Sequence, residues 1–344
     1  MDRSLLEPTL DFPIDAPPPH GTPVEIAPGL LWIRLGLPFR LDHVNVYVLE
    51  DVDGWLVFDT GIYDPATTAI WQSLLQGPLA ARPITRIVVS HYHPDHAGMA
   101  GWLAERTGAP VLMPATEYLT SLVLMLDPGA LDSEPYRSFY RGHGLDPVTT
   151  DNLLTLGNRY LKMVALLPRT FRRLIGGETL GIAGAQFHVT TAGGHAPEQA
   201  MLHAPARNLL LCADQVLARI SPNISVDAHD PDGDPLGIYL RSLATLRASV
   251  PADTLVLPGH NLPFIGLHTR IDELTAHHHA RCDAILSACR ERPRNVLELM
   301  PAIFRRPIED PHQMGFAFSE ALAHVNFLTR TGRLHRQNGR FIPA

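Results

Sequence analysis

The fold is best predicted from the stretch Ile87-Val-Val-Ser-His91-Tyr-His93-Pro-Asp95-His96-Ala-Gly98. The β-branched residues near its start predict a buried strand, which is followed by three histidines and one aspartate within six positions. Imidazole nitrogen and carboxylate oxygen are ligands that zinc and similar cations prefer. Three histidines could occur by chance in a solvated loop, but their position after a buried strand favours a metal-binding loop.

Three further hydrophobic segments also lead to residues of metal-binding types. Residues 186–190 lead to His195, residues 208–213 to Asp214, and residues 254–257 to His260. A glycine next to each of these two histidines lets the backbone turn sharply and approach an ion. A single histidine at the end of a strand is usually structural, whereas four such strand ends in one chain predict one shared metal site.

This set of residues resembles the metallo-β-lactamase superfamily, whose early Asp-Thr-Gly turn is matched by Phe58-Asp59-Thr60-Gly61. The resemblance covers about residues 23–265 and includes all of the superfamily's metal motifs. It implies an α+β fold, a four-layer αβ/βα sandwich with the site at one edge of two facing sheets. It also implies two divalent metal ions, with zinc expected and manganese or iron as alternatives. The implied ligands are His91, His93 and His195 for one ion, Asp95, His96 and His260 for the other, and Asp214 as the bridge.

The chemistry implied by this resemblance is hydrolysis. Two such ions lower the pKa of a bridging water, hold the reacting group and stabilise the developing oxyanion. The bridging hydroxide would attack a carbonyl, while Asp95 hydrogen-bonds it and then carries a proton. We expect a thioester or an ester/lactone as the small-molecule substrate, with glyoxalase II-like thioesterases as the nearest comparison. Asp59 either orients a ligand histidine through its second ring nitrogen or is a plain turn residue.

Two other enzymatic functions are alternatives. Relatives hydrolyse phosphodiesters with the same site, so a ribonuclease remains open, although the β-CASP elements of the RNA-processing branch are not apparent. Persulfide dioxygenases, which use one iron, share much of this ligand set. His93 favours hydrolysis, because flavodiiron-type members tend to carry glutamate there, and Asp214 argues against a true β-lactamase. A metal-binding scaffold without activity is disfavoured because every ligand position is filled.

Residues 115–178 are an addition that a core sandwich does not need, and they lie near the ligand loops in sequence. We expect them to form a lid or a pocket wall, with Tyr140 and His143 as candidate pocket residues. Packing within the addition is the alternative for both. Asn223 and His229 follow Asp214 on a loop that borders the active site in this superfamily, and they are candidate substrate contacts. The hydrophobic periodicity of the addition predicts three helices, at about 116–126, 134–141 and 151–167.

The region 266–344 has a different pattern. A hairpin is predicted at Asn338-Gly339. Three helices and a terminal hairpin resemble a winged helix. We interpret residues 277–279, three histidines in a row, as mostly surface residues, because consecutive helical residues cannot converge on one ion. The helices are predicted at about 269–290, 294–305 and 315–331.

The composition of the chain indicates which partners and which cellular compartment to expect. The chain has 344 residues and a net charge of −7, which gives no general attraction to nucleic acid or to anionic membranes. No pattern of a signal peptide or of a membrane-spanning run is present, so the cytoplasm is expected. The proline-rich segment 1–22 predicts an irregular arm, which could strap a neighbouring subunit in a homodimer.

The three cysteines do not form a disulfide framework. Cys212 lies two residues before Asp214, and strand alternation predicts that both side chains lie on the same face. It is therefore either an additional soft ligand or a small buried residue. Cys282 and Cys289 are predicted to be core residues of a helix.

Overall fold

The computed structural model describes residues 10–127, 129, 132–156, 159–304, 308 and 310–344. Two β-sheets account for most of its strands, and in each of them the spatial order of the strands follows the chain. The first sheet contains β1 (Val24–Ala27), β2 (Leu30–Gly36), β3 (His43–Asp51), β4 (Gly54–Phe58), β5 (Ile84–Val88), β6 (Val111–Pro114) and β7 (Arg172–Leu174). The second sheet contains β8 (Thr179–Ile182), β9 (Ala185–Ala192), β10 (Gln199–Ala204), β11 (Leu209–Ala213) and β12 (Leu255–Pro258).

The helices begin and end at residues suited to those positions. Asp64 precedes the first helix and accepts a hydrogen bond from the Thr67 amide at 2.7 Å, and Gly108 ends the third in the left-handed conformation. The helices are α1 (Pro65–Gln76), α2 (Pro94–Ala97), α3 (Ala100–Thr107), α4 (Ala115–Leu126), α5 (Glu134–Gly142), α6 (Pro147–Leu156), α7 (Arg159–Met163), α8 (Pro235–Ser249), α9 (Leu267–Glu291), α10 (Val296–Ile303) and α11 (Pro311–Arg330).

Hydrophobic packing arranges these elements in four layers. Trp32 and Phe58 of the first sheet pack with Phe187 and Leu211 of the second, which makes a core between the sheets. Helices α1 and α3 cover the outer side of the first sheet, and α8, α9 and α11 cover that of the second. The predicted αβ/βα sandwich is therefore confirmed. None of the described helices combines the length and the apolar character that a membrane crossing requires.

The C-terminal helices share a core with the second sheet. Phe318 of α11 belongs to the same buried cluster as Tyr239 of α8, and its ring lies 6.5 Å from that of Phe139 in α5. The predicted helices and hairpin are present, although residue 305 of the predicted middle helix lies outside the described residues. The likeness to a winged helix stays a prediction. The hairpin consists of β13 (Leu334–Gln337) and β14 (Arg340–Pro343).

One residue of the triple histidine is an exception to the interpretation of these residues as mostly surface. His278 is fully buried, and its Nδ1 lies 3.1 Å from Nε2 of His324 in α11. Consecutive residues of a helix point in different directions, so α9 turns His278 towards α11 while His277 and His279 stay exposed. The interpretation as mostly surface therefore agrees with His277 and His279, and His278 is the exception.

The added segment differs from its predicted helical pattern in two ways. The bounds of the helix predicted at 151–167 are wrong, because α6 begins at Pro147, whose fixed φ suits a first helical position, and α7 ends at Met163; residues 157 and 158 lie outside the described residues. The segment also ends in β7, which pairs in parallel with β6. Arg172 and Arg173 are exposed there, as charged residues often are on the edge strand of a sheet.

The short strands β1 and β8 lie outside the predicted pattern. The predicted arm over 1–22 lies partly outside the described residues, and residues 10–22 are irregular apart from a backbone bridge between Asp11 and Ile265.

Candidate metal centre

Seven side chains meet at one edge of the sandwich because the strands that precede them end there. Strands β11 and β12 are parallel neighbours, so Asp214 and His260 leave the second sheet at the same edge. The metal loop follows β5 of the first sheet, and the Ala200 amide donates to the Ser90 carbonyl at 2.8 Å, which ties the two sheets together. The side chains brought together are His91, His93, Asp95, His96, His195, Asp214 and His260.

The first donor group consists of His91, His93 and His195. Nδ1 of His93 lies 3.0 Å from Nε2 of His91 and 3.0 Å from Nε2 of His195. Three imidazole nitrogens therefore face one another, and their ligand atoms all lie within 4.8 Å of each other. This is a donor set that suits a borderline divalent cation.

The second donor group consists of Asp95, His96 and His260. Oδ2 of Asp95 lies 3.3 Å from Nε2 of His260 and 3.7 Å from Nε2 of His96. Asp214 contacts both groups, because its Oδ2 lies 3.4 Å from Nε2 of His195 and 3.2 Å from Nε2 of His260. Asp214 therefore lies between the two donor groups, and its role as a bridging ligand stays a prediction.

Two buried atoms of this cluster lack a hydrogen-bond partner among the described residues. They are Nε2 of His96 and Oδ1 of Asp214, which lie 3.5 Å apart. A buried polar atom without a partner is costly, and coordination of a cation would satisfy both atoms. The residues present therefore fit a pair of divalent cations.

The directions in which the pKa values of the cluster are shifted favour bound positive charge. Burial opposes ionisation of Asp214, yet His260 and His96 hold its pKa well below the usual range. Burial likewise opposes protonation of His260, but Asp214 and then Asp95 raise its pKa to about 10. In the first group, burial and then the neighbouring His195 lower the pKa of His93 to about 3. The carboxylates are ionised, so either protons or metal cations must balance them, and metal binding releases protons.

Contacts outside the cluster fix the orientation of the ligand rings. Oδ2 of Asp59 lies 2.8 Å from Nδ1 of His96, a contact that agrees with the first of its two alternatives, orientation of a ligand histidine. Asp59 also accepts hydrogen bonds from the amide and the hydroxyl of Ser90. Backbone carbonyls of Asn223 and His43 lie 2.9 Å from Nδ1 of His195 and 2.7 Å from Nδ1 of His260. A protonated Nδ1 leaves Nε2 free to bind a metal.

Glu117 is a functional candidate that the sequence did not reveal. It is fully buried in the first turn of α4, and its carboxylate accepts hydrogen bonds from the amides of Tyr92 and Glu198. Burial raises its pKa to about 7, against the opposing effect of these two amides. Glutamate in a first helical turn is ordinary helix chemistry, so the sequence contains no signal that separates it from a surface residue.

The predicted substrate residues lie in different surroundings. His229 is exposed, with its ring nitrogens 2.6 and 2.9 Å from the Tyr136 hydroxyl, and the side chain of Asn223 donates to the Ser225 hydroxyl at 2.5 Å. Tyr140 packs against Phe318 of α11.

His143 is buried, with its Nδ1 2.8 Å from the Phe139 carbonyl. These contacts favour packing as the role of Tyr140 and His143.

Cys212 is not part of the cluster. Strand β11 ends at Ala213, whose φ of 43° interrupts the alternation that would place Cys212 beside Asp214. The buried thiol instead lies 3.3 Å from the Val216 carbonyl. Its alternative interpretation as a small core residue agrees with this position. Cys282 and Cys289 are buried, as predicted.

Comparisons with known proteins agree with this geometry. Residues 39–260 match the family model described as the metallo-beta-lactamase superfamily, and residues 282–342 match the metallo-beta-lactamase-like C-terminal domain. The probable metallo-hydrolase YqjP of Bacillus subtilis (strain 168) is 23% identical over 306 residues, which cover 86% of this chain and 91% of that protein.

Two solved structures are similar over nearly the whole chain. A beta-lactamase domain protein from Burkholderia ambifaria has a TM-score of 0.89 and 38% identity, with 97% of this chain and 98% of that chain covered. The metallo-beta-lactamase family protein TTHA1429 from Thermus thermophilus has a TM-score of 0.78 and 28% identity, with 93% and 100% covered.

Proposed function

The chain belongs to the metallo-beta-lactamase superfamily, and we propose that it is a dinuclear hydrolase of a thioester or ester/lactone carbonyl. The observation that carries this proposal is the position of Asp214, whose carboxylate contacts histidines of both donor groups. A relative described as a probable metallo-hydrolase supports the reaction class. The second donor group supports two cations over the single iron of a dioxygenase.

The two donor groups and Asp214 would hold the ions, with zinc as the proposed native metal. When bound, such ions lower the pKa of water and stabilise negative charge that develops on a carbonyl oxygen. Asp95 is the proposed proton carrier. Its side chain is 19% exposed, compared with 7% for Asp214, so substrate and solvent reach it more easily.

Tyr92 is a proposed wall of the substrate site. It is half-buried, and its ring centroid lies 4.6 Å from that of His93. An apolar group next to the reacting carbonyl could pack on this ring, as in most small-molecule sites.

The finer points of the identity are also proposals. They are a glyoxalase II-like substrate preference, a winged-helix-like fold for the region 266–344, and a location in the cytoplasm. Residues of α11 share a buried core with the second sheet. This supports packing of the C-terminal region on the sandwich rather than on nucleic acid. A homodimer is a further proposal, which light scattering tests.

Elemental analysis and a substrate panel test the proposal. We expect about two zinc or manganese ions per chain, with release of thiol from acyl-thioesters or opening of lactones. Asp214→Asn should abolish this hydrolysis without changing the circular dichroism spectrum. Asp51→Asn is a matched control, because Asp51 is a buried aspartate paired with Arg86 at the opposite end of β3 from His43. One iron per chain with oxygen uptake on glutathione persulfide, or cleavage of single-stranded RNA alone, would overturn the proposal.

A further inference from the structure

We infer that Glu117 is a positioning residue, through which the added segment holds the first donor group in its metal-binding geometry. The inference rests on the proposed metal site. Glutamate is rarely buried completely unless its carboxylate is bound on all sides, and Glu117 has no exposed surface. Its position in α4, outside both sheets, makes it a contribution of the added segment to the centre.

The carboxylate of Glu117 joins the two loops that supply the first donor group. Its Oε2 accepts from the Tyr92 amide at 3.0 Å, and its Oε1 accepts from the Glu198 amide at 2.5 Å. Tyr92 lies between His91 and His93, and Glu198 follows His195 closely in the chain. This side chain therefore links the two backbone segments directly, in addition to the hydrogen bond between the Ala200 amide and the Ser90 carbonyl.

A second helix of the added segment binds the same loop from the other side. The Tyr160 hydroxyl of α7 donates to the Tyr92 carbonyl at 2.8 Å. The Ser121 hydroxyl of α4 lies 2.7 Å from the Tyr160 hydroxyl. Both backbone groups of Tyr92 are thus held by the added segment. The carboxylate of Glu198 in turn accepts from the Thr116 hydroxyl at 2.7 Å. Helix α4 therefore binds both the backbone amide and the side chain of Glu198 in the His195 loop.

Only a carboxylate satisfies this arrangement. Two amide N–H groups approach Glu117 from different loops, and an ionised carboxylate offers each of them an oxygen. The isosteric glutamine has one oxygen and one NH2 group, so one amide would face a donor and the loops would separate. Mutation of the residues that support a metal's ligands from outside typically lowers the affinity for the metal about 10- to 100-fold.

Titration with cobalt(II) tests the inference, because its spectrum reports each site apart from catalysis. We expect Glu117→Gln to weaken binding at the first donor group by about 10- to 100-fold and to leave the second near the wild-type value. His93→Ala and His260→Ala identify the spectrum of each site. Asp51→Asn is the matched control, because Asp51 is a buried carboxylate away from the cluster that also accepts hydrogen bonds from two backbone amides, those of Val52 and Ala183, and we expect near-wild-type affinities.

The outcomes separate the inference from the proposed function. Wild-type affinity at the first donor group of Glu117→Gln would overturn the inference, as would an equal loss at both sites. A wild-type protein that binds fewer than two ions would instead contradict the proposed function. If Glu117→Gln does not fold, Tyr160→Phe takes its place, because it removes only the donor to the Tyr92 carbonyl. Unchanged affinity at the first group in Tyr160→Phe would then overturn the inference.

Discussion

Replacement of Asp59 by asparagine is expected to weaken metal binding without disturbing the fold. Asparagine has the same shape and tolerates the left-handed φ of 60° that Asp59 adopts. In either orientation of the amide, its NH2 group faces one of the N–H donors that the carboxylate accepts from, Ser90 or His96. When the NH2 group faces His96, two donors clash unless the His96 ring carries its proton on Nε2 instead of Nδ1. Nε2 is the atom that must bind the metal, so this tautomer cannot bind it.

The size of the effect follows from the bonds that change. A hydrogen bond to a buried charged group contributes about 1.5–3 kcal/mol. Each 1.4 kcal/mol corresponds to a factor of about ten in affinity. One such bond to His96 is lost at a distance of 2.8 Å, so we expect roughly 10- to 100-fold weaker binding. The second donor group should be affected first, because it contains His96.

Competition with a chromophoric chelator measures this change directly. Asp51→Asn serves again as the control, since it removes one charge from a buried aspartate away from the cluster. We expect it to lower stability and leave metal affinity unchanged. The reasoning is refuted if Asp59→Asn binds metal within about twofold of the wild type, or if Asp51→Asn loses as much affinity.

Three other perturbations test separate parts of the structure. Removal of metal by a chelator should lower the midpoint of thermal unfolding and abolish hydrolysis, because ions that bind only the folded state stabilise it; calorimetry before and after zinc is restored measures this, and an unchanged midpoint would contradict a resident metal. Cys212→Ala should keep the full metal content and lose about 1 kcal/mol of unfolding free energy; metal loss in elemental analysis would make Cys212 a ligand. Burial lowers the pKa of His278 to about 2 and of His324 to about 4, so the unfolded chain binds more protons below pH 6.5 and stability falls as the pH falls from there. Between about pH 7.5 and about pH 5, the wild type should lose about 2 kcal/mol more unfolding free energy than His324→Leu. Urea unfolding at both pH values measures this, and an equal loss in the two proteins would count against it.

Local chemistry explains why so much of the fold and of the candidate site could be predicted. The metal loop and the strand ends are each encoded within a few neighbouring residues. For Asp59 the sequence predicts two alternative roles and does not choose between them. Its turn motif is visible in the sequence, whereas its contact with His96 is visible only in the structure.

Contacts between distant parts of the chain explain what could not be predicted. The His43 and Asn223 carbonyls hold ligand rings, but every residue has a carbonyl, so no sequence signal marks them. Burial of His278 depends on its contact with α11, and the role of Glu117 depends on where two loops meet. Periodicity indicates which residues form a helix but not which neighbour covers each face.

The spread of the ligands along the chain has a consequence for biosynthesis. The histidine loop after β5 leaves the ribosome long before β11 and β12 supply Asp214 and His260, and α11 is translated later still. During that interval the loop is part of a nascent chain without its sandwich, and an unconstrained histidine cluster prefers copper to zinc. The complete set of donor atoms therefore exists only after the second sheet has formed and packed against the first.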